Sequence, residues 1–286
     1  MISINTNYGG LFASKAASQS QRMLDTAMER LSTGKRINYA TDDAAGQAIA
    51  VRLQAEIEGI AMATRNVADA QSLMDTADGA LAETSNILLR MRELAVQAST
   101  GTLNSDDNAA LDAEFQQLEA EIDRIASSSK WAGSDLFTGT ARVFHVGTKA
   151  TDTLSHTIGK MAAHDLGVDS LGADNASGGS NADADIDADL TDATKAAAMI
   201  TAVDNAIKLV STERGKLGAL SNRLSSTITN LDQVRVNLSA SQGRIQDADF
   251  AEETSNLAKG QILQQAATAM LAQANASKQT VLALVR

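Results

Sequence analysis

The sequence predicts a mainly α protein: a long antiparallel helical rod, or coiled coil, formed by the N- and C-terminal halves, with a small β-hairpin region in the middle. Three observations predict it. Large apolar residues recur every seven positions in both halves, the 286 residues include no proline, and only 3% are aromatic while alanine is abundant. Average usage would supply about 14 prolines in a chain this long, so nothing forces a kink in a long helix. A composition short of aromatics and rich in alanine suits thin, close-packed helices better than a thick core.

The first long helix starts at Asp42 and Asp43, both helix-start residues. Beyond them Leu53, Ile60, Val67, Met74, Leu81 and Leu88 fall seven apart and lead to Ala95. Ala63, Ala70, Ala77 and Met91 hold the position three residues later. That is a heptad seam. Alanine at its second position lets a partner helix approach closely, and the pattern carries the helix to about Thr100, roughly 85 Å at 1.5 Å per residue. Gly101-Thr102-Leu103-Asn104-Ser105 is turn chemistry. Leu111, Phe115, Leu118, Ile122 and Ile125 then alternate spacings of four and three, the mark of a shorter helix folding back.

From Trp131 to about Ser180, glycines punctuate short runs such as Arg142 to Val146 and Thr153 to Ile158, which predict small strands or hairpins. Residues 173–189 are Ala, Asn, Asp, Ser and Gly around a single large apolar residue, Ile186, and predict an exposed loop. Val203, Val210, Leu217, Leu224, Leu231 and Leu238 are again seven apart, with Ile207 and Ile228 on the neighbouring seam position. This second rod matches the first in length and period, so the two are natural partners.

The chain ends differ from the rods. From Gly260 to Ser277 no residue is charged, yet Gln261, Gln264, Gln265, Gln273 and Asn275 make the segment too polar for a membrane. A helix uncharged all round meets protein all round. Leu11 to Leu31 is similarly rich in Ala, Ser and Gln. Neither end offers a core of its own, so both are expected to be poorly ordered in the single chain and buried by self-association.

Composition excludes several function classes. A net charge of -11 argues against nucleic acid and anionic membrane as partners, since both need a basic footprint. No cysteine is present, hence no disulfide, thiolate nucleophile or thiolate metal site. The start, Met1 to Asn7, lacks a positive n-region and an apolar h-region, so export needs a route other than a cleaved signal. His145, His156 and His164 lack zinc-ligand spacing. Asp183, Asp185, Asp187 and Asp189 alternate like a calcium loop, but Ala188 replaces its turn glycine and Thr194 its bidentate glutamate. Gly34-Lys35-Arg36 and Gly215-Lys216-Leu217 lack the rest of a phosphate-binding loop. No catalytic pattern stands out, and no enzyme, metal or cofactor is expected.

Particular strings narrow the reading. Ile4 to Asn7, Glu29 to Asn38 (ERLSTGKRIN), Asp42 to Ala50 (DDAAGQAIA) and Arg90 to Gln97 (RMRELAVQ) resemble the amino-terminal pattern of bacterial flagellins. Arg244 to Ala251, Gln261 to Ala266, Leu271 to Asn275 and Val281 to Arg286 resemble the carboxy-terminal pattern. The resemblance spans roughly residues 1–140 and 190–286. It implies an inner-core coiled-coil domain from residues 1–41 and 242–286, and a rod domain with a small β region from 42–172 and 190–241. Residues 173–189 stand where larger flagellins carry outer domains.

The resemblance further implies a secreted subunit that polymerises with itself into the extracellular filament of the flagellum and serves motility. Export runs through the flagellar type III apparatus with a dedicated chaperone, and the filament cap and hook-junction proteins are further partners. Polymerisation is assigned to 11–31 and 254–286, and within them to Leu11, Leu24, Leu31, Leu257, Ile262, Leu263, Met270, Leu271, Leu282 and Val285. Arg90, Leu94 and Glu114 match residues read by the flagellin-sensing Toll-like receptor, on a face that also packs subunits together. Leu89 departs from the enterobacterial pattern, which carries glutamine there. The nearest alternatives are a hook-filament junction protein and, from a different class, a cytoplasmic coiled-coil scaffold; the latter would keep charged flanks to its chain ends.

Overall fold

Local signals place the helix ends. The Asn7 side chain accepts the Gly10 N–H at 3.0 Å and opens α1 (Tyr8–Thr33). Gly34, in the left-handed region at φ 71°, closes it, its N–H reaching the Arg30 carbonyl. Asp43 accepts the Gly46 N–H at 2.8 Å and starts α2 (Ala44–Ala98), as the sequence predicts. A capping box between Asn104 and Asp107 starts α3 (Ser105–Ser128). Four strands follow: β1 (Lys130–Trp131), β2 (Ser134–Asp135), β3 (Ala141–His145) and β4 (Thr153–Thr157). Then come α4 (Ala163–Leu166), α5 (Ala193–Gln246) and α6 (Phe250–Val285). This computed structural model describes residues 6–169 and 190–285, apart from the side chains of 278–285. The predicted loop at 173–189 lies outside the described residues.

The chain divides into two compact units, one made of Met1–Glu58 and Arg235–Arg286, the other of Gly59–Val234. In the second, the heptad seam is realised. Ile60, Val67, Met74, Leu81 and Leu88 of α2 are buried together with the alanines between them, and Val203, Val210, Leu217 and Leu224 of α5 join the same core. Phe115 and Ile122 of α3 complete it. The helices α2 and α5 run antiparallel, as Arg92–Asp204 at 2.6 Å and Arg214–Asp78 at 2.8 Å record. These half-exposed pairs each contribute about 0–1 kcal/mol; burial of the seam holds the helices and the pairs mark its register.

The two runs predicted as strands in the middle pair as the hairpin β3–β4, and a second, shorter hairpin, β1–β2, precedes them. In β1–β2, Trp131 faces Ser134 across a two-residue turn in which Ala132 (φ 48°) and Gly133 (φ 83°) both have positive φ, the turn that suits strand twist. In β3–β4 the register runs from Ala141 opposite Thr157 to His145 opposite Thr153. Leu154 and Ile158 send this hairpin's apolar side into the core. The one-turn helix α4 was not foreseen, because four residues are too few to show a period. Asp123 of α3 holds it, accepting the Ala163 N–H at 2.8 Å.

In the other unit, the α2–α5 seam loosens. Leu53 and Leu238 are half-buried, and the Gln242 amide donates to Gln54 at 2.9 Å. The connections at the ends of α1 and α5 are tied by a short antiparallel bridge. The Arg36 N–H donates to the Gln246 carbonyl at 2.7 Å and the Ala248 N–H to the Gly34 carbonyl at 3.0 Å. Asp249 then caps α6 through the Ala251 N–H at 2.8 Å. Ahead of α2, Asp42 accepts the N–H groups of Tyr39 and Asn38, each at 3.0 Å, which holds its carboxyl below the usual carboxylate range.

Burial ranks the seam positions. Leu81→Ala, at a fully buried site, is expected to lower stability by about 2–5 kcal/mol, and Leu53→Ala, half-buried, by clearly less. Urea unfolding of the two variants measures the difference; equal losses would contradict the ranking.

Candidate assembly surfaces

The terminal helices α1 and α6 pair antiparallel, with Arg30–Glu253 at 2.8 Å, Gln264–Gln21 at 2.7 Å and Asn7–Asn275 at 3.4 Å fixing the register. Each end is a helix in this structure, and each is the other's partner. On α1 the seam is Gly10, Ala13, Ala17, Ser20, Leu24, Ala27 and Leu31; on α6 it is Glu253, Leu257, Gly260, Gln264, Ala267, Leu271 and Ala274, all buried or half-buried. Both series alternate spacings of three and four.

This seam is built mostly from small side chains. Leu24 sits over Gly260, where an added Cβ would lie 2.9 Å from the Leu24 Cγ. Close approach leaves little apolar area buried, and at about 25 cal/mol per Å² the pairing gains correspondingly little. The large apolar residues lie outside. Tyr8, Leu11, Phe12 and Met28 of α1 and Phe250, Ile262, Leu263 and Met270 of α6 are exposed. Monomeric proteins seldom leave so many large apolar groups together on one element pair.

The ten residues assigned to polymerisation thus separate. Leu11, Ile262, Leu263 and Met270 face solvent. Leu24 is buried, and Leu31, Leu257 and Leu271 half-buried, within the chain's own α1–α6 seam. The side chains of Leu282 and Val285 lie outside the described residues. The outward stripe was visible in the sequence only as a lack of charge. Which leucines pair inward became clear once Gly260 was placed opposite Leu24.

Charge follows the same division. Residues 1–58 and 235–286 hold 11 Lys and Arg against 10 Asp and Glu, whereas 59–234 hold 13 against 25. The chain's net negative charge thus comes from one unit, at -12, and the unit with the exposed apolar residues is close to neutral, at +1.

In the acidic unit, Arg90 of α2 reaches Glu114 of α3, with Nη2 to Oε1 at 2.8 Å and Nε to Oε1 at 3.1 Å, and also Glu93 at 2.9 Å. Hydrogen bonds donated to these carboxylates, Glu114 first, strengthen the guanidinium's hold on its proton. Leu94 is only 1% exposed and belongs to the core beneath, so the surface here is Arg90 and Glu114 with Leu89 and Val96 exposed beside them. The family resemblance named Arg90, Leu94 and Glu114 together; it did not distinguish the inward Leu94 from the outward Leu89.

The histidines stand apart. His156 lies 3.8 Å from the buried Glu213, and His164 3.5 Å from Asp169. Among the described residues no group of three or more His, Cys, Asp and Glu could hold a metal, and no helix is long and apolar enough to cross a membrane. The aspartate series at 183–189 lies outside the described residues.

Helices that turn small residues to each other and large ones to solvent define an assembly protein, structural rather than enzymatic. Residues 4–142 match the family described as bacterial flagellin N-terminal helical region, and 200–285 match the bacterial flagellin C-terminal helical region. The chain belongs to the bacterial flagellin family. It is 44% identical to a flagellin of Halalkalibacterium halodurans over 260 residues, 91% of each chain. It is 40% identical to a flagellin of Bacillus subtilis over 99% of each chain. Coverage this complete on both sides makes it a compact member, with a central β region and no large outer insert. A solved structure described as a flagellar hook-associated protein, from Vibrio parahaemolyticus, shares the fold at TM-score 0.59 and 16% identity, covering 72% of this chain and 100% of that one.

The tight seam makes its own prediction. Gly260→Ala should push α1 and α6 apart and weaken their pairing, an overpacking cost of about 1–3 kcal/mol set against roughly 1 kcal/mol of helix propensity gained. Leu24→Ala in the same chain should recover part of the loss. A double-mutant cycle read by proteolysis of the terminal helices tests it; additive effects would mean that Leu24 and Gly260 do not meet.

Proposed function

We propose that this chain self-polymerises into the extracellular filament of the bacterial flagellum through the outward faces of α1 and α6. The observation that carries the reading is the inverted terminal pair, a small-residue seam with Leu11, Phe12, Ile262 and Met270 left open on a nearly neutral unit. Neutrality lets many copies approach, while the acidic unit keeps free subunits soluble. We assign the polymerising domain to residues 1–41 with 242–286, the rod domain to 42–172 with 190–241, and a short variable loop to 173–189. Relatives named as flagellins at 40% identity or more over nine-tenths of the chain favour a filament subunit over a hook-junction protein. The hook-associated likeness, at 16% identity, concerns the fold alone.

Export through the flagellar type III apparatus, a chaperone on the carboxy-terminal helix, and contacts with the filament cap and hook-junction proteins belong to the same reading. For the free monomer, the surface formed by Arg90 and Glu114 is our candidate for recognition by the flagellin-sensing Toll-like receptor. Its support is the match of Arg90, Leu94 and Glu114 that the resemblance implies, together with the Arg90–Glu114 ion pair, with Leu94 acting from beneath as packing for α2.

Seeding purified chain with sheared filaments should give long tubes under electron microscopy. Deleting the last 20 or so residues should abolish them while the rest stays helical by circular dichroism, and tubes from the truncated chain would refute the terminal-helix mechanism. Phe12→Ser should raise the concentration needed for assembly by about 10- to 100-fold, since burying one such side chain contributes about 1.5–3 kcal/mol, with monomer unfolding little changed. Separately, Arg90→Ala should weaken activation of receptor-reporter cells by monomer at least several-fold; unchanged signalling would remove the receptor assignment.

A further inference from the structure

With no cysteine in the chain, methionine is the side chain that two-electron oxidants meet first. The fold grades the methionines. Met74, Met91 and Met199 are fully buried and Met161 nearly so, Met23 of α1 is half-buried, and Met28 is 51%, Met62 50% and Met270 63% exposed. Met62 is on α2 in the acidic unit. Met28 and Met270 belong to the open apolar surface of the terminal pair, on the same helices as Phe12 and Ile262.

We propose that Met28 and Met270 are oxidation sites through which peroxide-class oxidants block self-assembly of the free subunit. This rests on the reading that the outward faces of α1 and α6 are the surfaces of association. The sulfur lone pair attacks one peroxide oxygen, the O–O bond breaks and an S–O bond forms. The thioether loses two electrons and becomes a sulfoxide. The peroxide gains them, its other oxygen takes up a proton, and it leaves as water or an alcohol. The product is a strong acceptor on a once apolar group. Water satisfies that acceptor on the free monomer. Burial against another subunit would leave it without a donor, a loss charged to the polymer alone. The α1–α6 seam contains neither of these two sulfurs, so the sulfoxides leave the contacts of the helix pair in place. Subunits already assembled shield both positions, which confines the reaction to unassembled chain, and enzymatic reduction of the sulfoxides reverses it.

The test treats the full chain with hydrogen peroxide, maps sulfoxides by peptide mass spectrometry, and follows circular dichroism and seeded polymerisation. Met28, Met62 and Met270 should oxidise at least tenfold faster than Met74 and Met91, with helicity retained and polymer yield falling at least tenfold. Reduction by methionine sulfoxide reductases should restore the yield. The double variant Met28→Leu with Met270→Leu should polymerise before and after peroxide, while Met62→Leu should stay sensitive. Normal polymerisation of wild type fully oxidised at both positions, or no recovery after the sulfoxides are removed, overturns the proposal. The assembly reading fails separately, and visibly, if untreated Phe12→Ser chain polymerises as well as wild type.

Discussion

Everything at the chain ends depends on the approach of Leu24 to Gly260. Glycine lets α1 and α6 come close, the alanines and Ser20 on either side keep them close, and the register of Arg30–Glu253, Gln21–Gln264 and Asn7–Asn275 follows. A helix pair built this way spends its small residues on itself. Apart from the four leucines of the seam and the half-buried Met23, its large apolar residues, Tyr8, Leu11, Phe12, Phe250, Ile262 and Met270 among them, stay exposed among the described residues.

The other unit applies the opposite rule with the same period. There the large residues of the α2 and α5 heptads point inward, α3 and the hairpins close over them, and the result is a conventional buried core. It carries the chain's net negative charge. One chain therefore combines a part stabilised internally with a part whose apolar area is reserved. The buried seam of one unit and the exposed apolar residues of the other lie on different residues, so substitutions can address them separately.

Such a division explains why the pair Arg90–Glu114 and the terminal stripe are independent surfaces. The first is a polar, ion-paired patch over a rigid core, with Leu94 underneath as packing. The second is apolar, uncharged over much of α6, and held by a thin seam.

Sequence by itself determined the mainly α class, the antiparallel partnership of the two heptad rods, a hairpin between them and the start of α2 at Asp43. Each rests on a local period, cap or turn, which a single strand of sequence records directly. Tertiary structure alone decided which face of each terminal helix is spent internally, placing Leu24, Leu31, Leu257 and Leu271 in the seam and Leu11, Ile262, Leu263 and Met270 outside it, and sending Leu94 into the core while Leu89 stays exposed. The physical reason is that a heptad fixes a spacing without fixing which of its stripes meets a partner. Only the close contact allowed by Gly260 selects the stripe of small residues, and the remaining side chains acquire their roles from that choice.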